Sequence, residues 1–240
     1  MPSFRLSSEF LQYLADHHSQ NGAAEDCSKE ASRLPTLNQL SRQLGQSISC
    51  LREQLEVAKA LGLVEVRPRL GIRRLPYSFL PAVRQSLSYA ISIDRGYFMD
   101  FSDLRNHIEA AYWDRAARLL TEDDQRDLQG LLSRAWEKLD GQPIQIPHAE
   151  HRQLHLTIFS RLDNTFVYGL LEAYWEAYEA VGLDLYADYN YLRQVWNYHQ
   201  TMVDAICEGD FQRGYQALVE HRDLLLHRPQ SLIMEKKEVP

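Results

Sequence analysis

The sequence is poor in cysteine and has no long apolar run, and each absence narrows its class. Cys27, Cys50 and Cys207 are the only three cysteines in 240 residues. An odd, widely scattered set is no disulfide framework and points to a reducing compartment. No stretch approaches the roughly 20 apolar residues of a membrane span. The segment from Met1 to Leu14 lacks the basic flank and apolar run of a secretory leader. The expectation is a soluble, cytoplasmic protein with no membrane partner. Internal repeats, low-complexity tracts and an HExxH arrangement are also missing. What is present is a 45% hydrophobic composition, enough for a sizeable core, in a chain long enough for two compact domains.

Positive charge is also scarce: 26 Lys and Arg face 33 Asp and Glu, a net −7. It is, however, unevenly spread. Between Arg33 and Leu75, eight basic residues (Arg33, Arg42, Arg52, Lys59, Arg67, Arg69, Arg73, Arg74) face three acidic ones (Glu53, Glu56, Glu65). That local excess of +5 leaves −12 for the remainder. Phosphate attraction acts over a Debye length of about 8–10 Å, so an acidic distal domain does not forbid DNA binding.

The spacing of Phe10, Leu11 and Leu14 predicts a helix from Ser7 to His18, capped by Ser7 or Ser8. The polar stretch 19–32 reads as a loop to which no role is assigned. Thr36 is placed to cap a helix bearing Leu37, Leu40 and Leu44 and closed by Gly45. A second helix follows at once, with Leu51, Leu55 and Ala58 inward, and runs to Gly62. Two short helices across a glycine turn form a helix-turn-helix. Leu63–Val66, a turn through Arg67, Pro68, Arg69, Leu70 and Gly71, and Ile72–Leu75 then form a two-stranded wing. Arg67, Arg69, Arg73 and Arg74 make that wing a candidate phosphate clamp.

Beyond Pro81 the patterning is helical throughout, over 82–93, 101–120, 122–139, 148–162, 165–181, 188–208 and 211–227. Leu104, Ile108, Ala111 and Ala116 mark the apolar stripe of one such helix. The expected fold is mainly α: a winged helix-turn-helix domain over 1–76, a linker at 77–80, an antiparallel bundle of six or seven helices over 81–230 and a tail at 231–240.

Four histidines in the bundle have metal-ligand spacing. His151 and His155 lie four apart and project from one helix face. His199 and His221 lie at matching distances, about 15 Å at 1.5 Å per residue, on either side of the Gly209-Asp210 break, so a helical hairpin sets them opposite one another. Imidazoles converging in this way suit Zn²⁺, Ni²⁺ or a similar divalent transition metal. The alternatives are histidines that only pack, as in a metal-free sensor, or a hydrolytic metal site in which Glu150 adjoins His151. His148 and His227 read as solvent-facing residues beside helix ends. Arg105 has Glu109 four residues on, a natural ion-pair partner. Tyr174, Trp175, Tyr178, Tyr186, Tyr189, Tyr191, Trp196 and Tyr198 supply core and interface, and some are placed to line a pocket.

The run Leu34-Pro35-Thr36-Leu37-Asn38-Gln39-Leu40-Ser41, with Leu44-Gly45, Leu51-Arg52-Glu53, Leu55 and Leu61-Gly62-Leu63-Val64, resembles the GntR superfamily of bacterial regulators. The distal bundle resembles the ligand-sensing domain of its FadR branch, abbreviated FCD. The resemblance implies a homodimer that binds palindromic double-stranded operator DNA and answers to a small organic-acid effector. It places Ser49 and Arg52 at DNA-contacting positions and Gly71 at the wing's close approach. Asn38 and Ile48 stand where the family commonly has arginine, which implies a different operator. Its metal pattern matches His155, His199 and His221, with His151 replacing an aspartate. It also places Arg105 facing the effector cavity, where a guanidinium can grip a carboxylate.

Overall fold

The computed structural model describes residues 6, 8–17, 33–182 and 188–226. The expectations for the loop at 19–32, for Tyr186 and His227, and for the tail at 231–240 lie outside them. The chain divides into two units, Met1–Ala82 and Val83–Pro240. The division falls beyond the expected linker at 77–80, which therefore groups with the first unit.

The first unit contains α1 (Glu9–Asp16), α2 (Leu37–Leu44), α3 (Ile48–Ala60), β1 (Val64–Arg67) and β2 (Gly71–Arg74). Local chemistry sets the ends of these elements. The Ser8 hydroxyl accepts from the Leu11 amide, Thr36 and Gln39 form a capping box, and Ser47 accepts from Cys50. Gly45, with φ of +66°, closes α2 in the left-handed region that glycine enters without strain. Phe10, Leu11 and Leu14 of α1 join Leu40, Leu51, Leu55, Val64 and Ile72 in one buried core. The Phe10 amide also donates to the Gln54 side chain at 2.9 Å, so α1 is keyed onto α3.

The strands pair antiparallel, Val64 opposite Arg74 and Arg67 opposite Gly71. The Leu34 amide donates to the Ile72 carbonyl at 2.9 Å, and Arg33 bridges Arg73, giving β2 a second neighbour that the spacing of the sequence does not announce. Arg69 sits at the tip of the wing with φ of +65°.

The helices that follow are α4 (Leu80–Ile93), α5 (Tyr97–Arg118), α6 (Glu122–Leu139), α7 (His148–Ile158), α8 (Thr165–Ala180), α9 (Tyr189–Glu208) and α10 (Phe211–Leu226). Among the described residues there is no strand after β2, and no helix long and apolar enough to cross a membrane. Thr121 and Asp124 form a capping box at the start of α6, and Arg161 grips the same carboxylate through two bonds of 2.9 Å. Gly209, with φ of +74°, turns α9 back onto α10. Gly214 then lets α10 lie close to α5, since a Cβ there would stand 2.5 Å from the Trp113 ring.

One expectation holds only in part. Of the stripe Leu104, Ile108, Ala111 and Ala116, Ala116 is buried, but Leu104 is 46% exposed, Ala111 is exposed and Ile108 is half-buried. The buried face of α5 carries Phe98, Ser102, Arg105, Asn106, Glu109, Trp113, Ala116 and Ala117. Arg105, Asn106 and Glu109 point inward because they find polar partners there, and Leu104 and Ala111 are left on the outside.

Candidate functional site

The inward side chains of α5, α7, α9 and α10 converge. His151 and His155 stand one turn apart on α7, while the reversal at Gly209 sets His199 on α9 against His221 on α10, with ring centroids 4.5 Å apart. One ring nitrogen from each of the four lies within 4.8 Å of the others. His155, His199 and His221 are buried and His151 is half-buried. All four predicted ligand candidates thus meet at one point.

Their electrostatics favour ligation over charge. Burial holds His151, His199 and His221 well below the ordinary imidazole value of 6.5, and repulsion from neighbouring histidines, with Arg105, adds to this. Burial also lowers His155, where Glu109 pulls the other way and Arg105 reinforces the fall. Neutral imidazoles expose lone pairs. Nε2 of His151, Nδ1 of His199 and Nδ1 of His221 are buried without a hydrogen-bond partner, and leaving such groups unpaired costs about 1–3 kcal/mol each. Buried, unsatisfied and neutral nitrogen donors in a tight cluster fit a divalent transition-metal ion.

Arg105 lies against this cluster and is 5% exposed. Its Nη2 is 2.8 Å from His155 Nδ1, its Nη1 donates to Asn106 at 3.2 Å, and its guanidinium stacks 4.6 Å above the Tyr174 ring. The ion pair with Glu109 is present, with Nε 2.9 Å from Oε1, although this approach lacks hydrogen-bond alignment. Burial alone would raise the Glu109 carboxyl, but Arg105 and then His155 overcome that and hold it low. A crevice beside the cluster is lined by Arg105, His151, Tyr174, Trp175, Tyr191 and Arg222, with room on the order of a single water. The Trp175 indole N–H is buried there without a partner.

Two neighbouring histidine and carboxylate expectations change. His148 is half-buried, stacked on Tyr178 with centroids 5.5 Å apart and paired with Glu179 at 3.0 Å, so it is not solvent-facing. Glu150 is held by Lys138 at 2.7 Å and is not one of the cluster. Glu109 and Asn106 were not singled out as site residues. The available signal was the pair of charges at Arg105 and Glu109 one helical turn apart.

In the first unit, Ser49 and Arg52 are exposed on α3, as is Asn38 on α2. Arg67, Arg69 and Gly71 are exposed on the wing, and Arg67 pairs with Glu65 at 2.9 Å. Arg73 is half-buried with Glu65 at 4.0 Å. Arg74 departs from the expected clamp: its Nη1 donates to the His17 carbonyl at 2.6 Å and its Nε is buried. Consecutive residues of a strand point to opposite faces, so Arg73 and Arg74 cannot both serve one phosphate surface.

The FCD domain model matches residues 100–224, just over half of the chain and all four clustered histidines. No curated protein matches. A solved structure of Streptococcus agalactiae GntR has the same fold, with a TM-score of 0.60 at 18% identity, over 81% of this chain and 88% of that one. A structure of E. coli McbR/YncC has a TM-score of 0.47 at 21% identity, over 92% of this chain and 96% of that one. The chain belongs to the FCD domain family, with a winged helix-turn-helix preceding that domain.

Proposed function

We propose that the protein is a homodimeric, ligand-responsive transcriptional regulator whose bundle holds a divalent metal, Zn²⁺ or Ni²⁺, and senses a small carboxylate. The observation that carries this reading is the cluster of four histidines beside a buried arginine. Four imidazoles contribute no negative charge, so a bound divalent ion keeps its full charge and supplies a Lewis-acidic partner for an anion. His151, His155, His199 and His221 would hold the ion. Arg105, together with the Trp175 indole N–H, would orient an organic acid at the adjoining crevice, which has to widen beyond its single-water size to admit one.

For DNA, Ser49 and Arg52 on α3 address the major groove, and Arg67, Arg69, Gly71 and Arg73 meet the flanking backbone. The second copy supports a palindromic site. Its contact surface is the outward stripe of α5, where Tyr97, Leu104, Ile108 and Ala111 repeat at heptad-like spacing. Tyr89 and Ile93 of α4 are likewise 70% and 64% exposed. The effector regulates only if it prefers one arrangement of the dimer over the other, and its influence equals that difference in affinity.

A thermal-shift screen of small carboxylates against protein loaded with Zn²⁺ or Ni²⁺ tests the reading. Ligand bound to the native state raises apparent stability by about 2.7 kcal/mol at a hundred times Kd. At least one carboxylate is expected to raise the Tm of metal-loaded protein, and Arg105→Met is expected to abolish that rise. A response indifferent to both the metal and Arg105 counts against it.

A further inference from the structure

His155 Nδ1 has two incompatible neighbours. It is hydrogen-bonded to Arg105 Nη2 at 2.8 Å and lies 3.2 Å from Glu109 Oε1, a contact within ion-pair distance but not aligned as a hydrogen bond. A guanidinium can only donate a hydrogen bond and a carboxylate can only accept one. A nitrogen of a neutral imidazole carries either a proton or a lone pair, so Nδ1 can serve one of these groups at a time.

The choice decides what the other nitrogen does. If Nδ1 accepts from Arg105, the proton is on Nε2. That N–H then donates to His199 Nε2, 3.2 Å away, and offers no lone pair to a metal. If Nδ1 carries the proton, it donates to Glu109, and Nε2 turns a lone pair toward the cluster. Glu109 is 1% exposed and cannot exchange His155 for bulk water as its partner.

The geometry points to Glu109 as the positioning residue of the metal centre: it takes the Nδ1–H of His155, selects the tautomer whose Nε2 can ligate, and so couples metal occupancy to release of the Arg105 Nη2 from His155. A histidine ligand that hands its second N–H to a carboxylate is oriented and made more basic. The same step frees one edge of the Arg105 guanidinium for an anion. This rests on the metal reading above, and Glu109 supplies the negative partner that the four neutral donors lack.

The test uses the full chain, with zinc alone as the probe. Zinc affinity is measured by chelator competition, and the protonated nitrogen of His155 is read by ¹⁵N NMR on histidine-labelled protein. In zinc-loaded wild type, His155 is expected to carry its proton on Nδ1. Glu109→Gln is expected to weaken zinc binding about ten- to hundred-fold. Arg105→Met removes the competing donor, so it should bind zinc at least as tightly as wild type and place the His155 proton on Nδ1 even without metal. A purely structural ion pair predicts parallel losses in the two variants, since removing either partner strands the other in the interior. Parallel losses, an unchanged Glu109→Gln affinity, or a zinc-loaded His155 protonated at Nε2 would each overturn the assignment. The Arg105→Met arm and the wild-type tautomer decide it even if Glu109→Gln folds poorly. Wild type that takes up no zinc removes the metal reading itself, whereas zinc uptake unaffected by Glu109→Gln removes only the role of Glu109.

Discussion

A histidine serves this site only while it is neutral, and burial keeps all four that way. Each folded-state value is depressed below the ordinary 6.5, most strongly for His151, His199 and His221. A group whose native pKa lies below its unfolded one binds more protons when unfolded. Stability is therefore full above about pH 6.5 and falls as pH drops through the window beneath it. Each imidazole contributes up to about 1.4 kcal/mol per pH unit until its own native value is reached. The Tm of metal-free protein is expected to hold level above about pH 7 and to fall steeply toward pH 5; a level Tm across that range would contradict the electrostatics described. The histidines themselves were legible from sequence, because four-residue spacing and near-matching distances from the Gly209-Asp210 break are properties of the chain alone. The competition of Arg105 and Glu109 for one ring nitrogen was not, because it depends on how α5 is rotated about its axis.

That rotation belongs to the scale of elements, where two patterns are legible only in part. On α5 the apolar residues at 104, 108 and 111 form a proper helical stripe, but periodicity reveals a stripe without saying what covers it. The inward face carries Arg105, Asn106 and Glu109 because the histidine cluster and the residues around it give them partners. On the wing, four arginines close together in sequence resemble a single clamp. The alternation of β2 divides them, sending Arg73 to the face with Glu65 and Arg74 toward α1. Their variants should therefore differ in kind. Arg69→Ala is expected to weaken operator binding and to reduce the salt slope, the dependence of log K on log salt, by about 0.9 for each phosphate that the arginine neutralises. Arg74→Ala is expected to leave that slope unchanged and to destabilise the winged domain by about 1.5 kcal/mol, because a charge-assisted bond to the His17 carbonyl is removed. Fluorescence anisotropy at several salt concentrations and urea unfolding separate the two. Equal reductions in slope would return Arg74 to the clamp.

For the whole molecule, the order of a basic winged helix-turn-helix before an acidic bundle was legible from charge distribution, capping residues and helical period. What no single chain displays is the surface it offers to a second copy. A helix presenting Tyr97, Leu104 and Ile108 to solvent leaves an apolar stripe that a lone molecule gains nothing by exposing. Leu104→Glu combined with Ile108→Glu is expected to yield a monomer in sedimentation equilibrium and to weaken binding to a palindromic operator, as the second half-site becomes an independent event. A double variant that stays dimeric would place the interface elsewhere.

The central claim is that the four histidines hold a metal, and elemental analysis of untagged protein purified without chelator tests it most directly. The account predicts Zn or Ni in stoichiometric amount in wild type, and its loss in a His155→Ala, His199→Ala double variant that retains its helical circular dichroism. Wild-type protein that is metal-free as purified, and that takes up neither ion when it is supplied, would contradict the account.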